Sequence, residues 1–344
     1  MHRVVKEDID SILGSPVIDW EYLRGKSILI TGAYGFIPSY FVYVLVAFNE
    51  KILKKSEKCD IIVLGRSQLK IKEKFTDYID DKKISFIELD VINADQLNEK
   101  YDFIIHAASL ASPKYYNQIP VDIFLPNIVG TWRLLENSKK HGCTKFLFLS
   151  SSEVYNGSTD AIFKEDSLGA IDSLDSRSCY SEGKRSGEMI CQSYFNQFKI
   201  PIVISRIFHT YGPGVTLNDG RIFADFVKNV VRKEDIVIQG NGTAVRSYCY
   251  LSDTITGLLV LLTKGEPGNA YNIGNPLMTF SSKKLAELII DLPLVEKGAI
   301  NIFGQKQEEE SKIIPDIKKI SALDWSPKIS AEEGFYRTIK TYFE

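Results

Sequence analysis

The segment KSILITGAYGFIPSYFVYVLVAFN, residues 26–49, joins two apolar runs through a turn with glycines at 32 and 35. The first run has strand length and the second is long enough for a helix, so the segment reads as strand, tight turn and helix start. At such a helix start, N–H groups without intrahelical acceptors and the positive end of the helix dipole favour a phosphate. Gly32 and Gly35 permit the sharp turn and the close approach of a ligand, which makes this a candidate seat for a dinucleotide pyrophosphate. Pro38 stands where the third glycine of such a turn is expected, a glycine whose chief service is close packing of helix on strand. Proline in a first helical turn lacks only an N–H that has no intrahelical partner there, so Pro38 bears on packing more than on phosphate binding. The helix itself is expected from Ser39.

Further apolar runs follow at strand length, CDIIVLG, KISFIELD, YDFIIHAAS, KFLFLSSSEVY and IPIVISRIF, with longer helical patterns between them. Continuous apolar strands separated by helices indicate an α/β chain with a doubly wound parallel sheet, covered on both faces. After Phe208 the texture changes to Gly, Asn and Asp turns with shorter elements, and DIVIQGNG and NAYNIGNP read as isolated strands. The expected division is an N-terminal extension over 1–26, a dinucleotide-binding unit over 27–207 with strand contributions from about 240–272, and a smaller, mainly substrate-binding α/β unit over 208–344.

Composition limits the partners. The 42 Lys and Arg nearly balance 44 Asp and Glu over 344 residues, so no global field draws the chain to nucleic acid or an anionic membrane. An anionic ligand must be held locally. Five scattered cysteines, with no CxxC pair, suit a reducing compartment, and no metal site is expected. The stretch MHRVVKEDIDSILGSPVIDW lacks the apolar core of a signal peptide, and no run reaches membrane-spanning length. A cytoplasmic protein is expected.

The residues after the second strand bear on the dinucleotide. An NAD-type site usually places Asp or Glu there for the adenosine ribose, whereas this chain has Gly65, Arg66 and Ser67. A guanidinium and a hydroxyl suit a 2′-phosphate, so NADP(H) is favoured over NAD(H); the alternative is that Arg66 is a solvated loop residue. Asp90, closing ISFIELD, is a candidate for the adenine edge.

In SCYSEGKRSGEMICQSYF, Tyr180 and Lys184 lie four apart, on one face if helical. A tyrosine titrates near ~10, and a neighbouring ammonium would favour its phenolate, giving a group that moves a proton at a substrate oxygen. The same spacing recurs at Tyr22/Lys26, Tyr78/Lys82 and Tyr336/Lys340. Only Tyr180 follows a strand ending in hydroxyls, FLFLSSSEVY, at the sheet end where open α/β proteins bind ligands. Ser151, Ser152 and Glu153 are expected beside it.

Taken together, TGAYGFI, HAAS, PNIVGT, SSSEVY, CYSEGKR, RIFHTYGPG and RSYCYLSD resemble the extended short-chain dehydrogenase/reductases that modify nucleotide sugars, the NAD-dependent epimerase/dehydratase family, over roughly residues 27 to 280. The resemblance is strongest to UDP-glucuronate decarboxylases. It implies a Rossmann fold and a homodimer, with Ser151, Glu153, Tyr180 and Lys184 catalytic. It implies a cofactor site from Gly32, Tyr34, Gly35, Phe36 and Ile37 in the turn, Arg66 and Ser67, and Asp90 and Val91. Ala107, Ala108 and Ser109 of HAAS, Asn127 of PNIVGT, Tyr180, Lys184 and His209 complete that site. Ser112, Ser152, Arg221 and Arg246 are implied for substrate.

Departures from the pattern shape the expected chemistry. Ser152 then Glu153 replace the Asp-Glu of 4,6-dehydratases, Asn156 replaces the usual glycine after EVY, and Gly65 and Arg66 replace the ribose acid of the NAD-retaining decarboxylases. The first expectation is therefore NADPH-dependent reduction of a 4-keto-6-deoxy nucleotide sugar (dTDP-, UDP- or CDP-linked) for surface glycans. The alternatives are a UDP-glucuronate decarboxylase and a nucleotide-sugar 4-epimerase. A non-catalytic dinucleotide sensor on the same fold is the reading from another class, disfavoured by intact Tyr180 and Lys184.

Overall fold

The computed structural model describes residues 1–296, 298–303 and 312–343; the positions outside these ranges all fall in the expected 208–344 unit. Each early apolar run forms a strand: β1 (Ser27–Thr31), β2 (Asp60–Gly65), β3 (Ser85–Glu88), β4 (Phe103–His106), β5 (Lys145–Ser151) and β6 (Ile202–Ile207). Between and before them lie α1 (Arg3–Leu13), α2 (Phe36–Lys51), α3 (Gln68–Asp80), α4 (Pro120–Leu125), α5 (Thr131–His141) and α6 (Cys179–Phe198). The later chain adds β7 (His209–Tyr211), α7 (Ile222–Val231), β8 (Ile236–Gln239), β9 (Val245–Tyr250), α8 (Leu251–Lys264) and β10 (Asn269–Ile273). It continues with β11 (Thr279–Ser281), α9 (Ser282–Ile290), β12 (Ile300–Phe303), β13 (Lys312–Ile313), α10 (Lys318–Ser321) and α11 (Ala331–Lys340).

Seven strands make one parallel sheet in the order β10-β6-β5-β4-β1-β2-β3, the doubly wound arrangement that reverses direction between β1 and β4. One face packs on α2 and α8, through residues such as Phe41, Phe48, Leu258 and Leu262. The other face packs on α5 and α6, through Leu134, Leu135 and Cys191. A smaller unit with its own core, including Phe223, Tyr248, Leu285 and Phe335, is built on β7, β9, β11 and β13 and on the β8–β12 pair.

Two expectations about elements change. NAYNIG is not an isolated strand: as β10 it pairs in parallel with β6 and closes the large sheet, while DIVIQ pairs with β12. The helix after the glycine turn starts at Phe36 instead of Ser39, so Pro38 lies inside its first turn, before the first i→i−4 bond from Ser39 to Gly35 at 3.0 Å. The missing N–H is one that no intrahelical carbonyl could have received.

The N-terminal segment is stitched to the rest through one buried carboxylate. Asp8 of α1 accepts hydrogen bonds from Tyr40 at 3.2 Å, Tyr250 at 2.7 Å and Arg337 at 3.0 Å, joining α1 to α2, β9 and α11. Burial raises its pKa, against the pull of Tyr250 and Arg337. Among the described residues no helix is long and apolar enough to cross a membrane.

Candidate active site

Gly32 follows β1 with φ +66°, the left-handed region, and donates its N–H to Leu64 at 3.0 Å. A Cβ at this position would lie 2.8 Å from the Ala108 Cα, a backbone contact that cannot yield. The second tie is Thr31, whose hydroxyl accepts the N–H groups of Ala107 and Ala108, both at 3.1 Å, and meets His106 Nδ1 at 2.8 Å. The turns after β1 and β4 are thereby held as one rim. No side chain caps α2 at Gly35, which leaves its first N–H groups to an anion. Pro38 is buried and packs toward Gly35, its Cγ 3.2 Å from where a Gly35 Cβ would stand.

A cleft of about 300 Å³ runs from this turn along the C-terminal ends of β1, β2, β4, β5 and β6. Gly32, Tyr34, Gly35, Phe36, Ile37, Arg66, Asp90, Val91, Ala107, Ala108 and Ser109 line it, as do Ser151, Ser152, Glu153, Tyr180, Lys184, His209 and Arg221. The glycine cradle, the uncapped helix start and the length of the cleft together fit a dinucleotide lying across the sheet.

Four expected residues do not line the cleft. Ser67 is used as the cap of α3, accepting from the Lys70 N–H at 3.3 Å. Ser112 donates to the carbonyl of Asp219, which with Lys114 and Asn218 fastens the loop after β4 to the loop before α7. Arg246 donates to the Val245 carbonyl at 2.9 Å and lies behind His209, whose pKa its charge depresses. Asn127 is buried under the rim, its amide donating to Ser109 Oγ at 3.0 Å and to the Ile123 carbonyl at 2.7 Å. It sits in a wide π-turn, Pro126–Gly130, between α4 and α5.

At the β2 end, the Tyr34 ring occupies the space of the missing side chain: a Gly65 Cβ would be 2.9 Å from Tyr34 Cε1. Arg66 is 3.7 Å from Asp90, a loose pair at the cleft margin, and the Asp90 carboxylate also accepts the Ile92 N–H at 3.2 Å.

The reactive end is formed by β5 and α6. Ser151 accepts the N–H of Glu153 at 3.2 Å, and Glu153 accepts a hydrogen bond from Ser181 at 3.3 Å, so strand end and helix start are joined. Burial pushes the Tyr180 phenol up to about 12; a hydrogen bond with Ser151 opposes this, Glu153 adds to it and Arg221 subtracts. Lys184 donates to the Leu149 carbonyl at 2.7 Å, with its nitrogen 5.6 Å from the Tyr180 ring centre. Burial brings this ammonium down to about 7, against the charges of Glu188 and Cys191. The charges that act most on Tyr180 are those of Glu153, which raises the phenol further, and Arg221, which lowers it. His209 is partly exposed at the cleft, and desolvation together with the charges of Arg246 and Arg221 brings it down to about 3, a neutral imidazole.

The other three Tyr-x-x-x-Lys pairs lie away from this cleft, on the turn before β1, on α3 and on α11. Asn156 adopts φ −53°, open to any residue, so the glycine it replaces is not needed for the backbone. Sequence reasoning missed Tyr116, whose ring stacks on Tyr180 with centroids 5.2 Å apart and planes 14° from parallel, and Asp122, which also lines the cleft. Tyr116 lies in an irregular stretch, PKYYNQ, with no periodicity to mark it.

The model of the NAD dependent epimerase/dehydratase family matches residues 28–274. UDP-glucuronic acid decarboxylase 6 of Arabidopsis thaliana is 35% identical over 324 residues, 93% of this chain and 90% of that protein. UDP-glucuronic acid decarboxylase 1 of the same plant is 33% identical over 316 residues, 92% of this chain and 69% of that protein. Among solved structures, UDP-glucuronic acid 4-epimerase from Bacillus cereus, in complex with UDP-glucuronic acid and NAD, superposes with a TM-score of 0.76 at 26% identity. That match covers 92% of this chain and 99% of the epimerase.

Proposed function

Because the chain belongs to the NAD-dependent epimerase/dehydratase family, enzymes that act on nucleotide sugars with a nicotinamide cofactor, we propose that it is a UDP-glucuronate decarboxylase in type. This reading displaces the 4-keto reduction expected first, and it is supported by relatives named as decarboxylases along nine-tenths of the chain. The observation that carries it is Glu153, a carboxylate fixed to Ser181 beside Tyr180, in the same cleft as Arg221.

Bound nicotinamide would accept and return a hydride at sugar C4. Gly32, Gly35, Phe36 and Ile37 would hold its pyrophosphate, with Lys184 and Tyr180 at the other end of the cleft. Tyr180 would take the proton of the C4 hydroxyl as its phenolate and give it back as the phenol, with Ser151 as its hydrogen-bond partner. Once C4 is a ketone, the carboxylate on C5 is β to it and leaves as carbon dioxide, the electrons passing to the C4 oxygen against Tyr180. Glu153 is the acid placed to return a proton at C5. Arg221, which lines the cleft with its guanidinium oriented by Asp219, would supply charge for the diphosphate.

The second reading, reduction of a 4-keto sugar by NADPH, is favoured by the β2 end, where Tyr34 fills the site of an acid and Arg66 faces the cleft. Five free thiols and a balanced charge accord with a cytoplasmic enzyme. Exposed Trp132, Met189 and Phe198 on α5 and α6 accord with a homodimer through those helices.

The deciding experiment incubates the protein with UDP-glucuronate, dTDP-4-keto-6-deoxyglucose and CDP-4-keto-6-deoxyglucose, and follows carbon dioxide release and NADPH loss. Carbon dioxide from UDP-glucuronate without net cofactor change is the expected result; stoichiometric NADPH oxidation with a keto sugar would replace it with the second reading. Tyr180→Phe should lower turnover by ~10²–10⁴-fold with the substrate KM little changed. An unaffected Tyr180→Phe enzyme would refute the assigned role.

A further inference from the structure

One turn beyond Lys184 on α6, Glu188 meets a buried cluster that the chemistry above does not use. Arg206 of β6 grips its carboxylate on both oxygens, Nε at 3.0 and 3.2 Å and Nη2 at 2.6 Å. Ser150, next to Ser151 at the end of β5, donates to the same carboxylate at 2.5 Å. Only 14% of the Arg206 side chain and 11% of the Glu188 side chain reach solvent. Arg206 also donates to Tyr155 at 2.9 Å and to the Glu165 carbonyl at 2.7 Å, and Tyr155 donates to Asn272 of β10 at 2.7 Å.

The cluster therefore clamps the two elements that carry the reactive groups. Ser150 is the neighbour of Ser151, Tyr155 ends the turn that holds Glu153, and Glu188 shares its helix with Tyr180 and Lys184. A buried pair of this kind is weak evidence for stability, because desolvation offsets the attraction. Its worth has to be sought in what it positions. We propose that Glu188 is a positioning residue for the Tyr180–Lys184 pair: clamped by Arg206 and Ser150, it fixes α6 on the end of β5.

The groups facing Lys184 support this. On its own helix they are Tyr180, Cys191 and Glu188; from β4 comes His106, and Arg206 of β6 lies behind Glu188. His106 is held neutral by burial, and the Cys191 thiol is raised well above its ordinary range, which leaves Glu188 as the anion acting on the amine. Lys184 is protonated below its pKa, so a function needing the cation is lost as pH rises through that value. Removing the Glu188 charge should move that loss to lower pH.

The inference rests on the tyrosine–lysine reading of the site, and its test separates the two. In the wild-type holoenzyme and in Glu188→Gln, the pH profile of kcat is measured together with the pH dependence of Lys184 labelling by trace acetic anhydride, read by mass spectrometry. Glu188→Gln should shift the alkaline limb and the labelling midpoint down by about one pH unit, so that kcat falls about tenfold at pH 8. KM should change less than threefold, and Glu188→Asp should restore the limb. An unmoved limb and midpoint, with only lower thermal stability, would reduce Glu188 to a structural ion pair and overturn the proposal. Should Glu188→Gln fail to fold, Arg206→Gln strips the carboxylate of its counter-charge and should move the midpoint up; a midpoint unmoved or lowered would overturn it equally. Labelling needs no substrate, so it decides the inference whatever sugar is turned over, whereas wild-type activity alone decides the proposed function.

Discussion

Gly187→Ala tests how closely α6 must lie on β5. Gly187 faces the sheet one turn beyond Gly183, and an added Cβ would stand 2.5 Å from Phe148 Cζ and 2.8 Å from the Asn127 carbonyl oxygen. Neither neighbour can give way easily: the Phe148 ring is fully buried, and the carbonyl belongs to the π-turn beneath the rim. Restoring ordinary contact needs a local separation of about 0.9 Å at the ring. Alanine gains about 1 kcal/mol in helix propensity, whereas overpacking a closed site costs about 1–3 kcal/mol. The net effect should be a loss of about 1 kcal/mol, a drop of a few degrees in Tm by calorimetry. Turnover should suffer more, because Tyr180 and Lys184 ride on the displaced helix and a misplacement near 1 Å costs up to about 10²-fold. The control is Gly14→Ala, where the Cβ would be 3.4 Å from the Asp10 carbonyl at φ −78°, and little change is expected. A Gly187→Ala enzyme with unchanged or raised Tm and kcat within twofold of wild type would refute the packing argument.

Two other outcomes follow from the same structure. Gly32→Ala places a Cβ 2.8 Å from the Ala108 backbone at φ +66°, so NAD(H) affinity by fluorescence titration should fall at least tenfold, with the fold retained by circular dichroism. Asp253 is buried and its carboxyl is raised to about 6, chiefly by desolvation, although the Lys328 and Ile329 N–H groups donate to it. The unfolded chain loses this proton first, so the group removes stability as pH rises from about 3.8 to 6, by roughly 3 kcal/mol in all. Denaturant melts should show Asp253→Asn gaining on wild type by that order between pH 4 and pH 7, and a constant difference would contradict it.

Much of the fold was legible because strands buried on both faces leave continuous apolar runs, and β1 to β6 each coincide with one. The glycine turn was legible for a related reason: Gly32 answers a backbone need that no other residue meets. What escaped was set by contacts remote in sequence. Ser67 reads as a ligand hydroxyl until α3 begins at Gln68 and takes it as a cap. Tyr116 meets Tyr180 across 64 positions without a local pattern, and the Glu188–Arg206 clamp joins a helix to a strand across 18 positions. The Tyr180 and Lys184 spacing was visible, but the fate of the lysine charge was not, because burial is a property of the folded surroundings.

The place of β10 bears on how such a chain can be divided or recombined. The polypeptide leaves the large sheet after β6, builds β7 to β9, half of the smaller unit's described strands, and then sends residues 269–273 back to cover the β6 edge. A fragment ending near residue 208 would carry the glycine turn and the Tyr180–Lys184 pair, yet expose a bare strand edge of the kind that recruits other chains into aggregates. It would also lose Asn272, and with it one anchor of Tyr155. Exchange of the smaller unit between relatives therefore has to take two pieces, 208–250 and 274 onward, and leave α8 and β10 with the host sheet.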